Sequence, residues 1–258
     1  MKEIFLNEQK SLIKKLYHKE KFQFPIISSV IDSIQSGKIY TDDLNNPKCA
    51  FILHTFGWSQ IIGKRNRKFI NDLKNFIFIN EEFQSIKIRN YSPFDNHFFK
   101  KTTAEISERC KFQIKKNIKN IRIKKQYKLK KIDFKNCKKV NKFLKIDLFS
   151  RFWPSYTSFI NNSFGYFIEY KNRPVSICYS CGINEEVVEI DVFTDEKFRG
   201  KGLAKFVCKK FIDECKKKKL KANWDCFTNN IGSIKLAKSL GFKKILYPYK
   251  FYTYNKKK

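Results

Sequence analysis

The sequence predicts an α/β protein in two parts, and three observations carry that prediction. Strand-like alternation and helix-like periodicity follow one another through residues 125–254. One alternating run, Val187 to Phe193, leads through a glycine loop into a long helical pattern, Leu203 to Lys219. The first 120 residues hold apolar patterns of their own, enough for a smaller N-terminal α/β domain ahead of the second. A chain of 258 residues can bury a core in each part.

In chain order, the first part offers helices at Glu8 to Tyr17 and Arg67 to Phe78, where apolar residues recur at helical spacing. Its strand candidates are Cys49 to Phe56, Ile86 to Arg89 and Cys110 to Ile114. Lys115 to Lys125 is polar and basic and reads as the connection, so the domains are expected at 1–120 and 125–258. Tyr127 to Phe134 alternates and suits the first strand of the second part. Lys138 to Lys145 and Arg151 to Ile160 look helical. Phe164 to Tyr170 and Val175 to Cys181 read as strands around Lys171-Asn172-Arg173-Pro174, a turn attributed to its proline. Val187 to Phe193 is the next strand, followed by the glycine loop and its helix. Ala222 to Phe227 then reads as a strand, Ile231 to Leu240 as a helix, and Phe242 to Tyr254 as a strand pair interrupted at Pro248. Gly241 stands just past that helix, where a left-handed cap favours glycine. No tandem repeat is visible in the residues.

The loop Phe198-Arg199-Gly200-Lys201-Gly202-Leu203-Ala204 is the most informative segment. A strand running into a glycine loop that opens a helix aims several backbone N–H groups at one spot, and the helix dipole adds positive potential there. Glycines allow the close approach that a side chain would block. The segment reads as a pyrophosphate cradle. The residues after Gly200 and Lys201 do not make a Walker loop. A dinucleotide fingerprint needs a third glycine, and Lys205 stands in its place. The spacing Arg199-x-x-Gly202-x-Ala204 does match Arg/Gln-x-x-Gly-x-Gly/Ala. In this the loop resembles the coenzyme A loop of the GCN5-related N-acetyltransferase (GNAT) superfamily.

The resemblance extends over residues 125–254, where the element order β-α-α-β-β-β-α-β-α-β-β is that of GNAT domains. It includes the Glu189 strand, the loop, Asn230-x-x-Ser233-x-x-Leu236 and Gly241-Phe242. The run from Glu189 to Ala237 is also similar to a bacterial subgroup that includes zwittermicin A resistance-type acetyltransferases, whose members carry an additional N-terminal α/β region. The resemblance implies a mixed, mostly antiparallel central sheet flanked by helices. It also implies transfer of an acetyl group from acetyl-CoA, without a metal, to a primary amine. A small-molecule amine is the favoured acceptor. A protein acetyltransferase and a non-catalytic basic module for nucleic acid or another polyanion are the other two readings.

The resemblance distributes roles residue by residue. Glu189 matches the family's base, and Asp191, two positions on and therefore on the same face of a strand, is its rival. Glu189 also reads as a solvent-facing charge. Val192, Phe193 and Thr194 fall where main chain pairs with the pantetheine arm of the coenzyme. Arg199, Gly200, Lys201, Gly202, Leu203 and Ala204 form the pyrophosphate loop, with the backbone doing most of the binding. Asn230 opens a helix, where it reads as an N-cap and as a coenzyme contact. Many members follow the leucine at Leu236 with a tyrosine that protonates the departing thiolate; this chain has Ala237, as the subgroup does. Tyr247, Tyr249, Ser233 or water would then supply that proton.

Composition bounds the remaining classes. The chain is 42% apolar with 27 Phe and 12 Tyr, which argues against disorder. Met1 to Lys15 lacks the apolar core of a signal peptide, and no run reaches membrane-spanning length. Eight scattered cysteines suit free thiols in a reducing compartment, so the protein is expected in the cytoplasm, away from membranes. Cys178-x-x-Cys181 has no second pair or histidine cluster beside it and reads as packing rather than metal. His18, His54 and His97 are dispersed and read as surface or packed residues. Phe56-Gly57-Trp58 and Arg151-Phe152-Trp153-Pro154 read as core or as a substrate wall. The net charge of +31 leaves a nucleic-acid partner open without favouring it, because the lysines spread over the whole chain. Oligomeric state is not legible.

Overall fold

The computed structural model describes residues 1–79, 82–90, 103–116, 118, 121–143, 148–245 and 248–255. The chain divides into two compact units, Met1–Arg109 with Pro248–Lys258, and Cys110–Tyr247. The final strand thus falls in the first unit, whereas the sequence reading assigns everything from 125 to 258 to the second. Each unit is a mixed, mostly antiparallel sheet with helices, which the resemblance implies for the second; for the first the sequence predicts an α/β domain.

The first unit runs β1 (Lys2–Glu3), α1 (Asn7–His18), α2 (Pro25–Ile31), β2 (Gly37–Thr41), β3 (Cys49–His54), β4 (Trp58–Gly63), α3 (Arg67–Ile79) and β5 (Ser85–Asn90). Strands β1 to β4 pair antiparallel in succession, and β4 pairs β5 in parallel. Four of these elements, β1, α2, β2 and β4, are absent from the sequence expectations. Every residue of α2 is buried, as are all of β3 and most of β4, so α2 and β4 show little wet–dry alternation to read. Tyr40, Phe51, Phe69, Leu73, Ile88 and Tyr252 pack together in this unit's core.

Strand β6 (Glu105–Ile114) crosses the division between the units. The second unit continues with β7 (Lys128–Lys131), α4 (Cys137–Phe143), α5 (Leu148–Phe152), α6 (Tyr156–Asn162), β8 (Gly165–Tyr170), β9 (Arg173–Ile183) and β10 (Val187–Thr194). After the short 3-10 turn Glu196–Phe198 come α7 (Leu203–Lys217), β11 (Lys221–Phe227), α8 (Ile231–Ser239) and β12 (Phe242–Lys244). The last strand, β13 (Tyr249–Asn255), returns to pair with β5 and with the first half of β6. Strands β7 to β10 pair antiparallel in succession, and β10 pairs β11 in parallel.

Two local expectations change. The single helix expected over Arg151 to Ile160 is two, because Pro154 cannot continue a helix and Ser155 caps the next by accepting from the Ser158 N–H. The β8–β9 turn is made by Lys171 and Asn172, both at positive φ, while Arg173 and Pro174 already lie in β9. A two-residue hairpin loop matches strand twist when both residues are left-handed.

The pairing patterns reveal a repeat that the residues conceal. Both units read β-α-α-β-β-β-α-β, with three antiparallel pairings and then one parallel pairing. The second differs by one extra short helix before β8.

Candidate active site

The site is built where β10 and β11 part. Their parallel register runs from Val187–Lys221 to Glu189–Asn223 and ends there, although β10 continues to Thr194 and β11 to Phe227. Beyond that point, among the described residues, Val192, Phe193 and Thr194 remain paired only with β9, opposite Cys178, Ile177 and Ser176. All three are partly exposed. The edge of β10 that faces away from β9 is therefore available to an extended ligand.

The β9–β10 register slips between Glu189 and Ile190, and the extra residue is Cys181 of β9. Strand β10 itself keeps its alternation, so Glu189 and Asp191 share a face. Tyr179, opposite Asp191, packs its ring on Phe159 of α6, which assigns that face to the α6 side. Cys178, opposite Val192, meets the Cys208 thiol of α7 on the other side, where burial foremost pushes the Cys178 thiol up.

Glu189 is 2% exposed, so the solvent-facing alternative is set aside. Asp191 is already engaged: Oδ2 accepts from the Tyr179 hydroxyl at 2.7 Å, and Oδ1 from the Val192 N–H at 2.9 Å. Burial, with the Asp191 charge beside it, holds the Tyr179 phenol well above its ordinary pKa, so it stays a donor. These two bonds tether the Asp191 carboxylate.

The glycine loop follows. Gly200 and Gly202 have φ of 74° and 76°, a conformation that L side chains rarely adopt. Gly202 is the N-cap of α7, and among the described residues no side chain caps it. A Cβ built on either glycine meets none of the described atoms within 4 Å. The open N–H groups of the first turn and the empty space before them fit a pyrophosphate. Leu203 is buried and Ala204 partly exposed at the start of α7. The neighbouring side chains fold back onto the loop. Arg199 donates from Nε to the Thr194 carbonyl at 3.3 Å and pairs with Glu196 at 3.2 Å. Lys201 donates to the Lys197 carbonyl at 2.8 Å and lies over the Phe198 ring.

Asn230 caps α8, its side chain accepting from the Ser233 N–H at 3.0 Å. Ser233 in turn accepts from Trp224 Nε1 at 3.1 Å. Ala237 is fully buried. Of the replacement acids, Tyr249 is buried in the first unit against Phe24, and Tyr247 lies outside the described residues. Trp153 is core, donating from Nε1 to the Ser180 carbonyl at 3.0 Å. His54 is buried and accepts through Nδ1 from the Phe56 N–H, His18 ends α1, and His97 lies outside the described residues. Among the described residues, no cluster of His, Cys, Asp and Glu could hold a metal ion.

Sequence reasoning missed two polar residues of this face, Tyr179 and Asn223. Each lies on a different strand from the carboxylate it faces, and register places them opposite Asp191 and Glu189.

Comparisons with known proteins give the family and the fold. A sequence model of the family described as GNAT acetyltransferase matches residues 14–252, taking in most of the first unit as well as the second. The chain is 28% identical over 250 residues to uncharacterized N-acetyltransferase YdfB of Bacillus subtilis (strain 168), covering 91% of this chain and 94% of that one. A GCN5-related N-acetyltransferase-like protein from Streptococcus suis 89/1591 superposes with a TM-score of 0.69 at 22% identity, over 96% of this chain and 99% of that one. A tandem GNAT protein from the clavulanic acid biosynthesis pathway also gives 0.69, at 9% identity, over 96% and 95%. These two structures speak to the fold. With an opened β10–β11 pair, a glycine-capped α7 and a family match over nearly the whole length, the chain belongs to the GNAT acetyltransferase family.

Proposed function

We propose that the protein is an acetyl-CoA-dependent N-acetyltransferase acting on the primary amine of a small molecule. The observation that carries this is the end of β10–β11 pairing at Glu189–Asn223, directly ahead of an uncapped, glycine-lined helix start. The backbone of Arg199 to Ala204 holds the pyrophosphate, and the free edge of Val192 to Thr194 holds the pantetheine arm. Asn230 adds a contact from the start of α8.

The bound coenzyme supplies an activated thioester. The remaining obstacle is the amine, because one with a pKa of about 10.4 needs roughly 4–5 kcal/mol to lose its proton at pH 7. Glu189 takes that proton, directly or through water, as the C–N bond forms and the thioester C–S bond breaks. Ser233 or water returns a proton to the departing sulfur. Its hydroxyl oxygen already accepts from Trp224, which leaves its own proton free to donate. The depth of Glu189 favours a small acceptor over a protein tail, and turnover of amines against peptides separates the two. Eight free cysteines, all buried, favour a reducing cytoplasm. Among the described residues, no helix is long and apolar enough to cross a membrane.

Calorimetric titration with acetyl-CoA tests the reading first: a folded sample without saturable binding sinks it. Gly202→Asp is expected to abolish binding, because a carboxylate would face phosphate at the helix start. Gly202→Ala shares the backbone strain at φ 76° without the charge and is expected to lose much less. Equal losses in the two variants would show that strain rather than phosphate contact is being read.

A further inference from the structure

Asn223 stands beside Glu189, and the acetyl-transfer chemistry so far gives it no task. It is 4% exposed, and its Nδ2 finds no hydrogen-bond partner among the described residues. A buried amide donor without an acceptor is destabilising, and folded chains rarely keep one without a reason.

Its position supplies the reason. Asn223 is the Cα partner of Glu189 in the last parallel pair before β10 and β11 separate. Paired residues of neighbouring strands project to the same face. The next residue, Trp224, bonds to Ser233 of α8, so Asn223 projects to the opposite side of the sheet. That is the face of Glu189, Asp191 and Tyr179, whose ring contacts α6. The unused donor therefore lies in the same layer as the carboxylate, at the mouth of the opening.

The two groups are chemical complements. A carboxylate accepts N–H bonds, whereas an amide Nδ2 donates to oxygen. A plain alkylamine can satisfy the first and leaves the second unused. An amine with a hydroxyl or carbonyl on a neighbouring carbon satisfies both. We infer that the acceptor is a primary amine bearing a hydrogen-bond-accepting oxygen close to its amino group, and that Asn223 Nδ2 donates to that oxygen while Glu189 serves the nitrogen. This rests on the acetyl-transfer reading.

The test uses the full chain with acetyl-CoA and paired amines that differ by one oxygen: 2-aminoethanol with propylamine, and 2-aminocyclohexanol with cyclohexylamine. The wild type is expected to favour the oxygenated member by about tenfold or more in kcat/KM. Asn223→Asp, which keeps shape and removes the donor, and Asn223→Ala are each expected to bring that ratio close to one. The change enters through KM for the oxygenated amine, and acetyl-CoA affinity by calorimetry stays as in the wild type, which also shows that the variants fold. A wild type with no preference, or a preference that survives both variants, overturns the inference. So does a wild type that binds acetyl-CoA and turns over none of the oxygenated amines. Absence of acetyl-CoA binding by folded wild type is a different result, and it removes the acetyl-transfer reading itself.

Discussion

Two carboxylates lie two residues apart on β10, and their surroundings separate them. Asp191 has both oxygens occupied, one by the Tyr179 hydroxyl and one by the Val192 N–H. Its task is to hold Tyr179 and the strand in place. Glu189 lies deeper, at the last pair before the strands part, where the proposed reaction calls for a deprotonating group. Glu189→Gln keeps size and polarity and removes the proton acceptor. It is expected to lower kcat at pH 7 by about 10²–10⁴ with acetyl-CoA affinity unchanged. The rate should then climb with pH as the substrate amine sheds its own proton, so a pH–rate profile on the variant checks the role. A variant with wild-type kcat at pH 7 would take Glu189 out of the chemistry. Asp191→Asn should cost less, since an amide oxygen can still accept from Tyr179.

At the scale of elements, legibility followed solvent. Helix α7 has one face wetter than the other, strand β10 alternates in residue type, and both are readable to within a residue or two of their ends. Helix α2 is buried on every side and offers no periodicity. The glycine loop was legible because a left-handed backbone demands a residue type. Asn223 was not, because register is a property of two strands and leaves no trace in one. Glu169 of β8 is a similar case, a buried carboxylate whose partners come from β7 and α4. Lys130 bonds one oxygen at 2.7 Å and Lys139 the other at 2.8 Å. These two lysines, Lys130 foremost, hold its carboxyl below the ordinary carboxylate range. A lowered folded-state pKa stabilises the fold above the unfolded value. That contribution disappears as pH falls from the ordinary carboxylate value of 4.5 to the lowered one. Glu169→Gln is expected to lose roughly 1.5–3 kcal/mol at pH 7. Its loss should shrink as pH falls through that window. Denaturant titrations at pH 7 and in acid check both; an equal loss at the two values would mean that the ion pairs contribute nothing.

At the scale of the whole chain, a doubled topology raises the question of how many coenzyme sites it holds. The first unit has a parallel pair of the same kind, β4 with β5, with α3 between them in the chain, and among the described residues the pairing again stops short of the end of β4, at Gln60–Arg89. The equivalent space is filled from within. Arg65 donates to the carbonyls of Ile61 and Gly63 at 3.1 Å each, covering strand edge that would otherwise be open to an extended arm. Asn66 caps α3 by accepting from the Phe69 N–H at 2.8 Å, using one of the amides that an anion would need. The link Lys64-Arg65-Asn66 is short and holds no glycine, and a Cβ on Gly63 would strike the Lys48 carbonyl at 2.2 Å, so the described residues form no open cradle there. Calorimetry with acetyl-CoA should therefore saturate at one equivalent per chain, and Gly202→Asp should remove all of the binding rather than half. Two equivalents, or a residual site in that variant, would show that the first unit binds coenzyme despite Arg65 and Asn66. A link without glycine offers no motif to match Gly200 and Gly202, so the repeat shows in the strand pairing and not in the residues.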